Sequence, residues 1–379
     1  MIGLHKRHKI FWAILRPIVI VFLRIRFGYT FELAKGLPEK YIVLSNHSTD
    51  YDPLLVGASF RKQIYFVASE HVARWGFLSK VLDYVFAFIV RYKGTVASST
   101  VKEILRRVKA GGSVCVFAEG DRTWDGVTQH ILPSTGKFVK TARCGLVTYR
   151  IQGGYFTSPR WSSTSGARKG YLHGEVVNVY SAEDVAAMSV DEVNAIIARD
   201  LHEDAYARQQ EAPKAYKGKA LAEGMENLLF LCPRCGAVDS MHSADDTVSC
   251  SRCGHSFRYD EHGALSGTNF GTVRELAVWQ KEQVSAMAEA GMAVTSPEAT
   301  LTRIVKHEEL PVDCGAVVLS QESLTCGDTV IPMEEITNLS MHGKRGIVFS
   351  AAGVYYELKP GAGSNALKFQ LLYDMYKRA

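Results

Sequence analysis

The stretch Tyr41-Ile42-Val43-Leu44-Ser45-Asn46-His47-Ser48-Thr49-Asp50-Tyr51-Asp52-Pro53 decides the reading of this chain. Its first four residues are a short apolar run of the kind that forms a buried strand. Pro53 and the following Leu54-Leu55-Val56 open a helix, with Asp52 beside its first turn. His47 therefore falls at a strand end, with a carboxylate five positions on. Such a carboxylate can hold one ring nitrogen and raise the basicity of the other, which can then take a proton from a hydroxyl. An aspartate that caps the helix beside an unrelated histidine reads from the same spacing.

Further along, Val114-Cys115-Val116-Phe117-Ala118-Glu119-Gly120-Asp121-Arg122-Thr123 is again an apolar strand that ends in a polar turn. The order and separation of the two stretches resemble the glycerolipid acyltransferase superfamily. That family carries Asn-His-x-x-x-x-Asp after one strand and Phe-Pro-Glu-Gly-x-Arg-Ser after a later one. His47 and Asp52 match the first motif; Phe117, Glu119, Gly120 and Arg122 match the second, with Ala118 and Thr123 in place of Pro and Ser. The resemblance spans roughly residues 1–215. It implies an α/β acyltransferase domain with a mixed sheet, in which His47 is the general base and Asp52 orients its ring. Arg91, in Phe88-Ile89-Val90-Arg91, matches a further family block, and with Arg122 it is the expected phosphate ligand, since a guanidinium meets a phosphate with two parallel hydrogen bonds. A strand-end Arg91 paired with a nearby acid is the alternative. Glu119 is expected to fix Arg122 or meet the acceptor, and Gly120 to let the backbone come close. The family's proline-containing fourth block is replaced by Cys144-Gly145-Leu146-Val147-Thr148-Tyr149-Arg150-Ile151, which puts the acceptor in question. Asp121 beside Arg122 would weaken an anion site unless it points away.

The resemblance implies a fatty acyl thioester as donor, on acyl-carrier protein or coenzyme A, and a lysophospholipid as acceptor. Another hydroxyl or amine acceptor, and a non-catalytic lipid-binding scaffold, are the competing readings. The net charge of +5 over 379 residues suits a surface that meets anionic lipid and does not by itself call for nucleic acid. Residues 1–28 are basic, then apolar, from His5-Lys6-Arg7-His8-Lys9 to Arg24. Arg16 and Arg24 break the run, so it lacks the roughly 20 apolar residues that a spanning helix needs. Lys9, Arg16 and Arg24 fall on one side of a helix, and Ile14, Ile18, Val21 and Ile25 on the other. That is an in-plane interfacial helix, with a buried core helix as the alternative. With no secretory signal and no disulfide pattern, the expected setting is the cytoplasmic face of a membrane.

From residue 41 to about 180, apolar runs and helical patterns alternate, and Ser189 to Gln210 reads as one helix. Cys232-Pro233-Arg234-Cys235-Gly236 and Cys250-Ser251-Arg252-Cys253-Gly254 then follow. Two such knuckles make a four-thiolate cage of zinc-ribbon type, so Cys232, Cys235, Cys250 and Cys253 are expected to hold a structural zinc. Residues 272–292 read as a helix, followed by short strands and a terminal helix over 366–376, a pattern similar to a pleckstrin-homology-like module. The expected division is an interfacial helix over 1–28, an acyltransferase domain over 29–215, a zinc ribbon over 216–265, a helical linker over 266–298 and a small β-rich domain over 299–379.

Overall fold

The structure is a computed structural model that describes residues 6–70, 77–95, 97–164, 167–305 and 308–378. His5, part of the basic run at the start, lies outside them. The chain divides into two compact units: Met1–Arg91, Ala97–Arg160 and Ser165–Gly218 form the first, and Tyr92–Val96, Trp161–Thr164 and Lys219–Ala379 the second.

The first unit is built on a seven-stranded sheet. Its strands are β1 (Thr30–Phe31), β2 (Tyr41–Ser45), β3 (Tyr65–Ser69), β4 (Ile89–Arg91), β5 (Val114–Phe117), β6 (Gly145–Gln152) and β7 (His173–Tyr180). They run in the order β1-β7-β6-β2-β5-β3-β4. Only the β6–β7 pair is antiparallel, so the sheet is mixed, with β2 at its centre. All five residues of β2 are buried, as expected of a strand covered on both faces. One core lies on each side: Tyr41 and Val43 point into the first, Ile42 and Leu44 into the second. Ligands of such sheets collect at the carboxyl ends of the strands. The three neighbouring strands β6, β2 and β5 end at one place, and they release Gly153, His47 and Glu119 there.

Helix α1 (Lys6–Phe27) packs on α2 (Asp52–Ser59). Trp12 covers Gly57, where a Cβ would come within 2.9 Å of the indole, and donates its ring N–H to the Phe60 carbonyl. Arg16 turns inward as well, and donates twice to the Ala58 carbonyl at the end of α2. Ile10, Ile14, Ile18, Val21, Phe22 and Ile25 are left on the outer side, 44–73% exposed. Among the described residues no helix is long and apolar enough to cross a membrane.

The single helix expected over Ser189–Gln210 is two helices, Val190–Leu201 and Ala205–Glu211. Tertiary pairing overrides the helical pattern between them. Thr128 N–H donates to the Glu203 carbonyl, Val127 bridges Asp204, and the Asp204 carboxylate then caps the second helix at Tyr206 and Ala207.

The second unit carries a four-stranded antiparallel ribbon: β8 (Met241–Ala244), β9 (Thr247–Cys250), β10 (Ser256–Tyr259) and β11 (Leu265–Ser266). A helix, Val273–Glu289, follows. Its buried Gln280 accepts from the Phe230 and Leu231 amides and donates to the Leu228 carbonyl. The last sheet has seven antiparallel strands. They are β12 (Val294–Val305), β13 (Glu308–Leu319), β14 (Ser323–Cys326), β15 (Thr329–Pro332), β16 (Ile336–His342), β17 (Gly346–Ala351) and β18 (Val354–Pro360), in the order β15-β14-β13-β12-β18-β17-β16. Strand β12 hides in the sequence because Pro297 and Glu298 interrupt it. The ladder skips these two residues, and the shift in register there absorbs the proline. The helix Leu367–Arg378 closes the sheet, with Tyr373 donating to the Ile336 carbonyl.

Candidate active site

The turn after β2 is held from three sides. Asn46 copies a strand backbone: its amide donates to the Ile151 carbonyl at 2.9 Å and its carbonyl accepts from the Ile151 N–H at 2.8 Å. This fixes the exit of β2 against β6. His47 comes next. Its Nδ1 lies 2.8 Å from Asp52 Oδ2, and its ring stacks on Phe117 with centroids 4.3 Å apart. Asp52 is fully buried. Its carboxylate also accepts from the Ser48 N–H at 2.6 Å, the Thr49 N–H at 3.0 Å and the Thr49 hydroxyl at 2.7 Å. These partners precede α2, so Asp52 serves the histidine turn and is not a cap of its helix. With three donors already on the carboxylate, the His47 Nδ1–H is the fourth, and Nε2 keeps its lone pair. The imidazole is one-fifth exposed, and it lines a small cleft together with Ser48, Glu119, Gly154 and Glu203.

Glu119 does not pair with Arg122, which meets Asp50 instead. The Glu119 carboxyl is turned inward and accepts from the His47 N–H and the Gln129 N–H, each at 2.6 Å. Burial pushes its pKa up to about 8, against the pull of those two bonds. Gly120 has φ of +72°, and a Cβ there would meet nothing within 4 Å. The left-handed turn requires glycine here. Its N–H closes that turn onto the Phe117 carbonyl. Arg122 pairs with Asp50 at 3.1 Å, while the next residue, Thr123, donates its N–H to the His47 carbonyl. The Asp121 carboxylate meets Arg160 at 2.7 Å and also accepts from the Arg122 backbone N–H at 3.0 Å. Arg160 is buried, stacks 4.2 Å over the Trp124 ring and donates to the Arg122 carbonyl, and burial lowers its pKa. It sets the shape of the second loop, and it belongs to neither motif.

The structure thus gathers His47, Asp52 and Glu119, with Arg122 on the adjoining loop. Arg91 ends β4, three strands from β2, or about 14 Å across the sheet. It does not line the cleft. In the second unit, the sulfurs of Cys232, Cys235, Cys250 and Cys253 all lie within 4.8 Å of one another and could hold a metal ion.

His47 and the buried Asp52 are thus paired at the carboxyl end of a central strand, beside the Glu119 turn. Residues 30–152 match the family model described as Acyltransferase, so the first unit carries an acyltransferase-type domain. Among solved structures the chain is similar to the 1-acyl-sn-glycerophosphate (LPA) acyltransferase PlsC from Thermotoga maritima. Identity is 16%, coverage is 52% of this chain and 83% of that one, and the TM-score is 0.40. No curated protein matches the chain.

Proposed function

We propose that the first unit moves a fatty acyl group from a thioester, on acyl-carrier protein or coenzyme A, to a hydroxyl of a lysophospholipid or similar lipid. The observation that carries this reading is the His47–Asp52 pair, with Nδ1 committed to a buried carboxylate and Nε2 left to act. Nε2 takes the acceptor's proton, the oxygen attacks the thioester carbonyl, the C–S bond breaks, and the thiolate leaves with the proton from His47. The test incubates purified protein with mixed lysolipids and an acyl thioester and follows the lipids by mass spectrometry. No acylated product in any arm overturns the reading.

A phosphate on the acceptor would meet Arg122 and displace Asp50, an exposed partner of the kind that contributes little. The distance of Arg91 favours the alternative of another hydroxyl or amine acceptor. Residues 6–27 lie in the membrane interface, with the outer stripe of α1 facing lipid at the cytoplasmic surface. The four cysteines take zinc in a structural role. Sulfurs of a tetrahedral site with bonds of ~2.3 Å sit roughly 3.8 Å apart. Here Cys232 to Cys253 is 3.7 Å and Cys235 to Cys250 is 3.8 Å. Four thiolates leave no open position, so the metal supports folding rather than transfer. Seven antiparallel strands and a closing helix support a pleckstrin-homology-like reading of the last module.

A further inference from the structure

A second cavity, of about 170 Å³, adjoins the His47 cleft within the first unit. Gly153 and Ala205 line both spaces. Gly153 has φ of +76°, and a Cβ there would lie 2.0 Å from the Tyr171 carbonyl oxygen and 2.8 Å from the Tyr216 hydroxyl. No side chain fits on Gly153, whose backbone is a wall shared by the two spaces. All residues of this cavity fall at or after Gly153, beyond the span 30–152 that matches the acyltransferase model. The cavity is therefore built by a part of the chain that the family pattern does not describe.

Its buried end is aromatic. Phe156 and Tyr216 sit there with ring centroids 5.1 Å apart, and Tyr171 forms a further wall. The more open end carries Arg208 and Lys214. Arg208 is held flat by Glu203 through two bonds of 2.7 Å, which use two of its five donors. Glu203 in turn lines the His47 cleft. The size suits one six-membered ring: a cavity of ~150 Å³ takes a benzene. A blind apolar tube would suit a chain end, but this space has cations at its mouth and flat aromatic faces within.

We propose that this cavity is a headgroup subsite for a single hydroxylated ring, of the sugar or cyclitol class, that carries an anionic substituent. The aromatic walls receive the C–H faces of the ring, Arg208 donates to its hydroxyls, and Lys214 meets the anion. The proposal rests on the lipid-acyltransferase reading for its occupant: the ring is the acceptor's headgroup, and the hydroxyl to be acylated reaches His47 past Gly153.

The test measures binding directly. The full-length protein is titrated with myo-inositol 1-phosphate, myo-inositol and glycerol 3-phosphate, with ligand-observed NMR as readout. The ring phosphate should bind wild type and His47→Ala alike. Ala212→Trp places an indole in the cavity from an exposed wall position and should abolish that binding. Lys214→Ala, also on the surface, should weaken the ring phosphate by about tenfold, as for one charged hydrogen bond, and leave myo-inositol unchanged. Equal ring-phosphate binding in Ala212→Trp with an unchanged melting curve overturns the subsite. So does binding of glycerol 3-phosphate as strong as that of the ring phosphate. Should Ala212→Trp fail to fold, an unaltered ring-phosphate titration in Lys214→Ala overturns it. Ring binding without acyl transfer to any lipid would sink the enzyme reading and leave the subsite standing. Transfer to ring-free lysolipids that Ala212→Trp does not slow would do the reverse.

Discussion

His47 is paired with a carboxylate that solvent does not reach. His47→Ala should lower acyl transfer by on the order of 10²–10⁴-fold, with the melting temperature unchanged because the ring is partly exposed. Activity retained in that variant would leave the scaffold reading. Asp52→Asn should cost transfer through the ring's orientation, with KM for the acceptor little changed. Glu119 makes a prediction about pH. In the unfolded chain its carboxyl titrates near 4.5, and in the fold near 8. Below pH 4.5 both states hold the proton. Between 4.5 and 8 the unfolded chain has released it while the folded one keeps it, so stability falls as pH rises through that window and then levels off. Glu119→Gln has no proton to lose. Melting curves at pH 5 and pH 8 should show wild type losing ground to the variant at the higher pH. The same wild-type-to-variant difference at both would refute the buried neutral acid. At this scale the two motifs were legible because each is local: His47 and Asp52 are five residues apart. Arg160 was not. Its partner Asp121 is far away in sequence, and only the folded loop shows that the arginine shapes the second motif.

Among the elements, α1 shows most directly what a pattern can and cannot say. The periodicity separates Arg16 from Ile14, Ile18, Val21 and Ile25, but does not say which side meets the protein. The structure turns Arg16 inward onto the carbonyl at the end of α2, and the isoleucines outward. Trp12 and the bare Gly57 set that choice. Replacing Ile14 and Ile18 by Ser should therefore leave folding intact. It should also reduce binding to anionic vesicles by about two to four orders of magnitude, since burying each such side chain is worth about 1.5–3 kcal/mol. Cosedimentation measures this, and unchanged sedimentation of the double variant would remove the interfacial role. Two other elements resisted reading for a related reason. The helix expected to run through residue 202 breaks because Thr128 and Val127 offer backbone partners, and β12 hides behind its bulged Pro297. Both outcomes depend on strands and loops distant in sequence, which local patterns do not carry.

Across the second unit, a buried cation helps join the segment after the first cysteine knuckle to the closing helix. Lys368 is fully buried and pairs with Asp239, which lies just past Gly236 with φ of +52°. Asn365 donates its N–H to the same carboxylate and its side-chain amide to the Glu226 carbonyl. Burial lowers the pKa of the lysine, and the Asp239 charge opposes that. Metal retention and the fold of the last module should therefore be coupled. Cys250→Ser should release zinc and lower the melting temperature of this unit, because metal binding supplies much of a small knuckle's folding free energy. Lys368→Ala should destabilise by about 1.5–3 kcal/mol, and should also speed loss of zinc to a chelator. Zinc lost at the wild-type rate from a destabilised Lys368→Ala protein would separate the two modules. The cysteine spacing was legible at once; the lysine was not, for nothing near residue 368 announces an anion 129 residues earlier.

That separation also fixes an order in time. A ribosome adding roughly 5–20 residues per second delivers Asp239 on the order of ten seconds before Lys368. The carboxylate waits in water, where it is at ease, and the ammonium arrives to find its counter-ion already in place.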